Sequence, residues 1–280
     1  MPVCRAIVIV LLACASGCLP LRGERSARQM IQSANPFGLT TAATREKVVV
    51  RSVLLERPTG DSYLGDQLWD TTMKPLPPET AALLAENGLR VGTFPSNAPA
   101  ELLERIDAGD GTVRPHEATT NLGEAKILPV NGPVPSVSFQ SFDDIGATPT
   151  RFEFANAQFG FTVTATPADG EKLSLVFEPK LQHGDRHGWL RPTLDGTGFI
   201  RHDQKGAERF PKLKFEVKLR QGEFLVIGPS ERPADRLGGA WFVSDSNGGS
   251  RMRVLVVRAW RGPSVPADPL PGRRVADSHR

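Results

Sequence analysis

Cysteine and long apolar runs are scarce in this sequence of 280 residues, and each shortage excludes a class of protein. All three cysteines lie within the first eighteen residues, at Cys4, Cys14 and Cys18. No disulfide, thiolate metal site or thiol nucleophile is therefore expected in the rest of the chain. The longest early apolar run, 6–15, has ten residues, whereas a membrane-spanning helix needs about 20.

The charge balance also excludes some partners. Lysine and arginine number 34 against 31 aspartates and glutamates, which gives a net charge of +3 without a basic cluster. A nucleic-acid-binding protein normally carries a concentrated basic surface, so we expect no nucleic-acid partner. The sequence contains no glycine-rich phosphate loop, and we expect no cofactor.

The N-terminus has the organisation of a secretory signal peptide: a basic residue, Arg5, then the apolar run 6–15, then small residues. The segment Ala15-Ser16-Gly17-Cys18 that follows resembles the lipobox of bacterial lipoproteins. The resemblance implies that residues 1–17 are removed and that Cys18 is acylated and becomes the mature N-terminus. It also implies outer-membrane retention, because Leu19 rather than aspartate follows the cysteine.

Two alternatives to this assignment remain open. Leu11-Leu12-Ala13-Cys14 is a second possible lipobox, with Cys14 as the acylated residue. A plain signal peptide with incidental cysteines is the other. Acylation at Cys18 would anchor the protein without a spanning helix, since each buried methylene contributes about 0.8 kcal/mol and several chains together give stable anchoring.

Residues 46–110 contain signals of a small βαβα unit. A β-branched run over 47–56 predicts a buried strand. Pro77-Pro78-Glu79 begins a predicted helix that Asn87-Gly88 ends, and Leu89–Phe94 predicts a second strand. A second helix should follow Ser96 or Asn97, with its buried face at Leu102, Leu103 and Ile106.

From residue 125 onward helical signals disappear and period-two alternation takes over. Phe159 and Phe161 alternate with small or polar residues, and Asp169-Gly170 predicts a hairpin turn. Apolar residues 213–219 alternate with lysine, glutamate and arginine, which predicts a strand with one wet, charged face. Gln221-Gly222 predicts another turn. The pattern favours a β-sandwich-like domain.

The predicted fold class is therefore α+β: a small N-terminal βαβα unit followed by an all-β sandwich-like domain. The predicted organisation is a signal peptide, a lipid anchor with its tether, the α+β unit, the β-rich domain and a flexible tail, over 1–17, 18–45, 46–110, 125–262 and 263–280, respectively.

Two stretches of the β-rich half resemble the secretin domain, which forms outer-membrane gates in type II and type III secretion and in pilus systems. The first is Ala157-Gln158-Phe159-Gly160-Phe161-Thr162-Val163-Thr164-Ala165-Thr166-Pro167, followed by Asp169-Gly170 and the strand from Leu173. The second runs over 215–228, a strand, a glycine turn and an apolar strand that ends in Gly228, and 251–260 takes the place of the closing strand. Pro229 stands where the family usually has a second glycine. The resemblance implies a degenerate secretin-like domain.

Few residues suggest catalytic or metal chemistry. Gly60-Asp61-Ser62 is similar to the block of an esterase family, with Ser62 as nucleophile and His279 as a remote base, but the segment is more typical of a turn. His183, His187 and His202 lie near carboxylates, and the glycines among them favour a polar surface loop over a zinc site. Trp69, Trp189, Trp241 and Trp260 are expected in the core. We predict no catalytic residue and no metal site.

The sequence thus predicts a lipid-anchored, non-enzymatic protein of the outer membrane. We expect it to be a structural or accessory subunit of a secretin-like assembly, with membrane lipid at Cys18 and other envelope proteins or further copies of itself as partners. The alternative is a monomeric binding lipoprotein that holds a ligand or peptidoglycan between its two domains. A serine hydrolase is a distant third.

Overall fold

Twelve strands and a few short helical segments make up the part of the chain that the computed structural model describes, residues 46–96, 98–108, 112–193, 197–231, 235–246 and 249–262. The predicted signal peptide, tether and tail, and with them Cys14, Cys18 and His279, lie outside these residues. The described residues belong to one unit. None of the described helices is long and apolar enough to cross a membrane.

The first sheet, sheet A, has the strand order β2-β10-β12-β1-β3, with β11 added to the edge of β12. All of its pairings are antiparallel. Its members are β1 (Lys47–Pro58), β2 (Leu89–Phe94), β3 (Thr112–Asn121), β10 (Phe224–Pro229), β11 (Val243–Ser246) and β12 (Gly249–Arg261).

The second sheet, sheet B, has the order β4-β6-β7-β8, with β5 on β6 and β9 on β7, and is also antiparallel. Its members are β4 (Ala125–Pro129), β5 (Val134–Ser141), β6 (Thr150–Pro167), β7 (Leu173–Pro192), β8 (Phe199–Arg209) and β9 (Phe215–Leu219). β6 and β7 have 18 and 20 residues, far above the usual five or six.

The helical segments are short and lie at the two faces of sheet A. A π-helical turn, Tyr63–Gln67, continues into α1 (Leu68–Asp70), and α3 (Ala100–Ala108) packs beside it. α2 (Pro78–Glu86) and α4 (Leu237–Phe242) contribute to the core on the opposite face. A further short turn of 3₁₀ helix, Pro211–Leu213, precedes β9.

Alternation along β1 divides the core in two. Val48, Val50 and Leu54 point to sheet B, where they meet its aromatic inner face. Val53 and Leu55 point to the other side, toward the π-helical turn and α3. The order of layers is therefore sheet B, sheet A, helices, which follows from the period of two in a strand buried on both faces.

The predicted fold class holds in its coarser form: the chain is mostly β, with two antiparallel sheets. The four elements of the N-terminal segment occur in the predicted order, but β1 and β2 do not form a unit of their own, because β1 pairs with β12 and β2 pairs with β10. Segments 46–110 and 125–262 thus share sheet A. The boundaries of the domains stay a prediction.

The expectation that no helix follows residue 125 is wrong at α4. This six-residue helix contains Gly238, whose lack of a side chain lets its backbone pack against the Gly88 carbonyl at the end of α2. Gly238 N–H donates to the Asn87 carbonyl at 2.8 Å. Tertiary contact, rather than helical propensity, therefore accounts for a helix with two adjacent glycines.

Candidate functional site

Ser62 lies at the start of the π-helical turn with its side chain exposed. The neighbouring Asp61 carboxylate accepts a hydrogen bond from the Leu64 N–H at 3.0 Å, so it holds the helical turn. Thr59 and Gly60, with φ of 98° at the glycine, form the predicted turn after β1. The described residues thus place Ser62 in a structural turn, and His279 lies outside them.

The histidine-rich segment is strand rather than the predicted loop. His183 and His187 lie in β7, and His202 lies opposite Trp189 in β8. A register shift between His183 and His187 absorbs Gly184, whose φ is 70°, as bulges do in antiparallel pairs. No cluster of potential metal ligands occurs among the described side chains.

His183 itself is held by packing. Its imidazole lies 4.5 Å from the Phe154 ring, centroid to centroid. It also covers Gly206 on β8, where a Cβ atom would come within 2.6 Å of the ring. The glycine therefore makes room for the imidazole between two strands, and His183 contributes to sheet B as a packed ring.

The far half of the β7–β8 hairpin, residues 183–193 and 197–206, is the first candidate functional surface. Pairing of β7 with β6 ends at Gln182, and from His183 onward β7 pairs with β8 alone in the described chain. Register places Leu190, Pro192 and Phe199 on one face, where Leu190 is 64% and Phe199 69% exposed.

Such a ribbon is unusual for two reasons. An isolated two-stranded ribbon is marginally stable in water, and a third strand or a packed apolar face normally supports it. The outer edge of β8 also has no partner strand among the described residues, and unpaired edges are sites where another chain adds a strand. The hairpin therefore offers both an open edge and exposed apolar side chains to a partner.

The outer face of sheet B is polar, as the alternation in β9 predicts. Glu216 and Lys218 are exposed between buried Phe215, Val217 and Leu219. On the adjacent β7, Glu178 accepts two hydrogen bonds from Arg209, at 2.6 and 2.8 Å. The hydrogen bond from Arg209 lowers the pKa of the Glu178 carboxyl. This face is thus built for water or for a charged partner.

A cleft beside α2 is the second candidate site. It has a volume of about 240 Å³ and an apolar lining from α2 and β2, with Trp69 and Arg90 at one side and Lys74 at the rim. The Arg90 guanidinium lies 4.2 Å from the centroid of the Trp69 ring. Its Nη2 donates to the carbonyls of Leu64 and Gly65.

Burial changes the electrostatics of this cleft. It lowers the pKa of Arg90 to about 10, although Asp66, Glu231 and Asp70 act in the opposite direction. The Nε atom of Arg90 is buried without a hydrogen-bond partner among the described residues. A partly buried cation over an indole ring, next to an apolar lining, provides polar and apolar contacts for a small ligand, in a volume below the roughly 300–1,000 Å³ of most ligand pockets. Its lining spans residues 69–91, so it does not lie between the two predicted domains.

Sequence reasoning missed both candidate surfaces in part. The sequence predicts the start of β7 at Leu173 but not its extension through 183–192, and β8 is not predicted at all, because glycine and histidine interrupt the alternation of 183–209. The apolar residues Trp189, Leu190, Phe199 and Ile200 were the available signal. Trp241 is fully buried as expected, whereas Trp69 and Trp260 are only partly buried.

No protein-family model and no curated protein matches this chain. Solved structures do match it over most of its length. The AspS–GspD pilotin–secretin complex of ETEC is 13% identical, with a TM-score of 0.28 over 84% of this chain. The competence pilus secretin PilQ of Vibrio cholerae is 14% identical, with a TM-score of 0.25 over 84% of this chain and 64% of that chain.

A third match is the type II secretion system outer membrane complex of Klebsiella pneumoniae, with PulD, PulS and PulC, at 11% identity, a TM-score of 0.28 and coverage of 79% of this chain and 41% of that chain. This chain spans about half, 53%, of the ETEC structure's chain. The neighbours are thus secretin structures at low similarity, and with TM-scores below 0.5 they assign no family to this protein.

Proposed function

We propose that this protein is a lipid-anchored cell-envelope protein that serves as a structural or accessory subunit of a secretin-like outer-membrane assembly. The observation that carries the proposal is the β7–β8 hairpin, which extends beyond sheet B as a two-stranded ribbon. A third strand from another subunit at the β8 edge would supply the support that such a ribbon otherwise lacks.

The sequence resemblance to the secretin domain supports the same role. Its first stretch forms the β6–β7 hairpin, with φ of 67° at Gly170 in the turn. Its second stretch forms β9 and β10, which Gly222 joins with φ of 92°. The role is a matter of assembly and not of catalysis.

The decisive experiment is a mass measurement on the assembled protein. Full-length protein is produced in a diderm bacterium, the outer membrane is extracted with mild detergent, and light scattering gives the mass of the particle. We expect a discrete assembly of many subunits. A mass of one subunit would contradict the proposal.

Charge on the hairpin tests whether this surface holds the assembly. Leu190→Lys combined with Phe199→Lys should release single subunits, because burial of two lysines at an interface is costly. Ile145→Lys is the matched control, since Ile145 is another exposed apolar side chain, at 52%, but lies in the loop between β5 and β6. An assembly that survives the double substitution would exclude the hairpin as its interface.

The anchor is proposed at Cys18, with the envelope lipid as partner. Mass spectrometry of the mature N-terminal peptide tests this directly: Cys18→Ser should abolish acylation and membrane attachment, whereas Cys14→Ser should leave both intact. The reverse result would assign the anchor to Cys14. A wild type whose mature N-terminal peptide carries no acyl group would indicate a plain signal peptide.

The Trp69–Arg90 cleft favours the alternative function, a monomeric binding lipoprotein. In that case the particle has the mass of one subunit, and soluble peptidoglycan fragments raise its melting temperature. Trp69→Ala should remove this gain in melting temperature because the aromatic wall of the cleft is lost.

A serine hydrolase remains the third hypothesis. Labelling of the wild type by a serine-directed probe, together with no labelling of Ser62→Ala, would support it.

A further inference from the structure

Two arginines face each other on the helix side of sheet A, beside Leu103 and Ile106 of α3. Arg51 of β1 stands directly opposite Arg258 of β12, and both side chains are exposed. Directly opposed residues in an antiparallel pair have Cβ atoms about 4.5–5.5 Å apart, and like charges there are destabilising. The two like charges therefore favour an anion between or beside the two guanidinium groups.

The described part of the chain does not supply that anion. Neither Arg51 nor Arg258 forms an ion pair there. Glu117 on β3 lies opposite Arg51, on the side away from Arg258, and forms no ion pair with it in the described chain. Further along the same two strands the arrangement differs. Glu56 accepts from Arg253 at 2.6 Å and also pairs with Arg251 at 3.5 Å.

An apolar cavity lies directly beside the two arginines. Its volume is about 200 Å³, and Val53, Val256, Phe224, Leu103 and Ile106 complete its lining. Val53, Val256 and Phe224 are buried and form the floor. The Arg258 guanidinium lies 4.6 Å from the centroid of the Phe224 ring, so one of the two cations already stands over the apolar floor.

We propose that this place binds an anionic amphiphile, whose carboxylate or phosphate bridges Arg51 and Arg258 while its apolar tail enters the cavity. The planar guanidinium fork matches the two oxygens of either headgroup. The cavity is smaller than the roughly 300–1,000 Å³ of pockets for drug-sized ligands. It therefore holds the headgroup and the first part of a tail. The site is independent of the role in an assembly.

Full-length protein in nanodiscs of neutral phosphatidylcholine is titrated with octanoate, and calorimetry gives the dissociation constant. Octanol, which has the tail without the charge, and acetate, which has the charge without the tail, are the ligand controls. We expect both to bind about tenfold or more weakly than octanoate, since a hydrogen bond to a charged group and the burial of a tail each contribute that much. Equal binding of octanol and octanoate would overturn the proposal, as would the absence of octanoate binding.

The protein variants test the two arginines. Arg51→Gln and Arg258→Gln should each weaken octanoate binding about tenfold. Arg151→Gln is the matched control, because Arg151 is an exposed arginine on β6 that pairs with Glu153 at 3.0 Å. Without ligand, Arg258→Gln should melt close to the wild type, since relief of the like-charge repulsion offsets the lost contact between the guanidinium and the Phe224 ring. A variant that is stable and binds octanoate as the wild type does would exclude the arginine pair.

Nanodiscs that contain phosphatidylglycerol distinguish the two sources of such an anion. If the natural ligand is a lipid headgroup of the bilayer, these nanodiscs should compete with octanoate and raise its apparent dissociation constant. If it is a free amphiphile, the constant should equal that measured in neutral nanodiscs.

Discussion

The two faces of sheet A are covered in different ways. Toward sheet B the cover is aromatic and continuous, with Trp241 5.2 Å from Phe159 and 5.3 Å from Phe161, centroid to centroid. Toward the helices it is largely aliphatic and comes from segments of five, three and nine residues. A second sheet can cover a whole face, whereas three short helical segments cannot. The helix side therefore leaves Arg51 and the residues opposite it on the neighbouring strands, Arg258 and Glu117, open to solvent.

The comparison predicts that the sheet–sheet side carries more of the stability. Trp241→Ala should destabilise the protein more than any single substitution on the helix side, by about 3–5 kcal/mol. The indole is fully buried and contacts three phenylalanine rings. Denaturant unfolding measures the loss. Trp241→Phe is the control, and it should cost less because it keeps a ring and removes an indole N–H that lacks a partner in the described chain.

The helix side should respond less to a change at its own centre. Leu102 of α3 is fully buried in the smaller core cluster, and Leu102→Ala should cost about 2–4 kcal/mol. Amide exchange in α3 should also be faster than in β1 or β12, since few contacts tie this helix to the sheet. A loss equal to that of Trp241→Ala would refute the difference between the two faces.

Many of the individual strands and helices can be predicted from local sequence, whereas the pairing of the strands cannot. β1, α2, β2 and β9 occur close to where their periodicity and punctuation predict them. Burial alternates strictly along β9, although Leu213, predicted in the same strand, lies in the preceding 3₁₀ turn. The local pattern does not predict which strands pair with β1, β2 and β9. Gln221-Gly222 turns the chain as predicted, yet it joins β9 in sheet B to β10 in sheet A and forms no hairpin.

The candidate sites depend on such non-local pairings. Arg51 and Arg258 are 207 positions apart in the sequence and meet only because β1 pairs with β12. The two-stranded form of the β7–β8 ribbon likewise depends on where pairing between β6 and β7 stops. Periodicity reports which side chains are buried but not what buries them.

The single tyrosine gives a direct probe of the helix side. Tyr63 lies in the smaller core cluster, and burial raises its pKa to about 12 from 10.0, with Glu101 acting in the same direction. The folded state thus prefers the neutral phenol. Its contribution to stability is complete below pH 10 and is lost as the pH rises toward 12.

Ultraviolet titration of tyrosinate follows this group without interference, because the chain has only one tyrosine. We expect a midpoint near 12 for the folded protein. In Tyr63→Phe the loss of stability above pH 10 should be smaller than in the wild type. A midpoint at 10 would show that the helix layer admits water to the phenol and that its cover is looser than the structure shows.

The smallest effect is expected on the outer face of sheet B, which water already reaches. There the hydrogen bond from Arg209 lowers the pKa of Glu178, a group whose ordinary value is 4.5. The pair therefore stabilises the folded state above pH 4.5, and this contribution disappears as the pH falls through the lowered pKa. Glu178→Gln should destabilise the protein slightly at neutral pH, less than either core substitution, because Arg209 is largely exposed.

The difference in stability between this variant and the wild type should vanish in acid. The control is Glu153→Gln in the exposed pair Arg151–Glu153, measured over the same pH range. A difference that persisted unchanged into acid would mean that Glu178 acts through packing rather than through its charge.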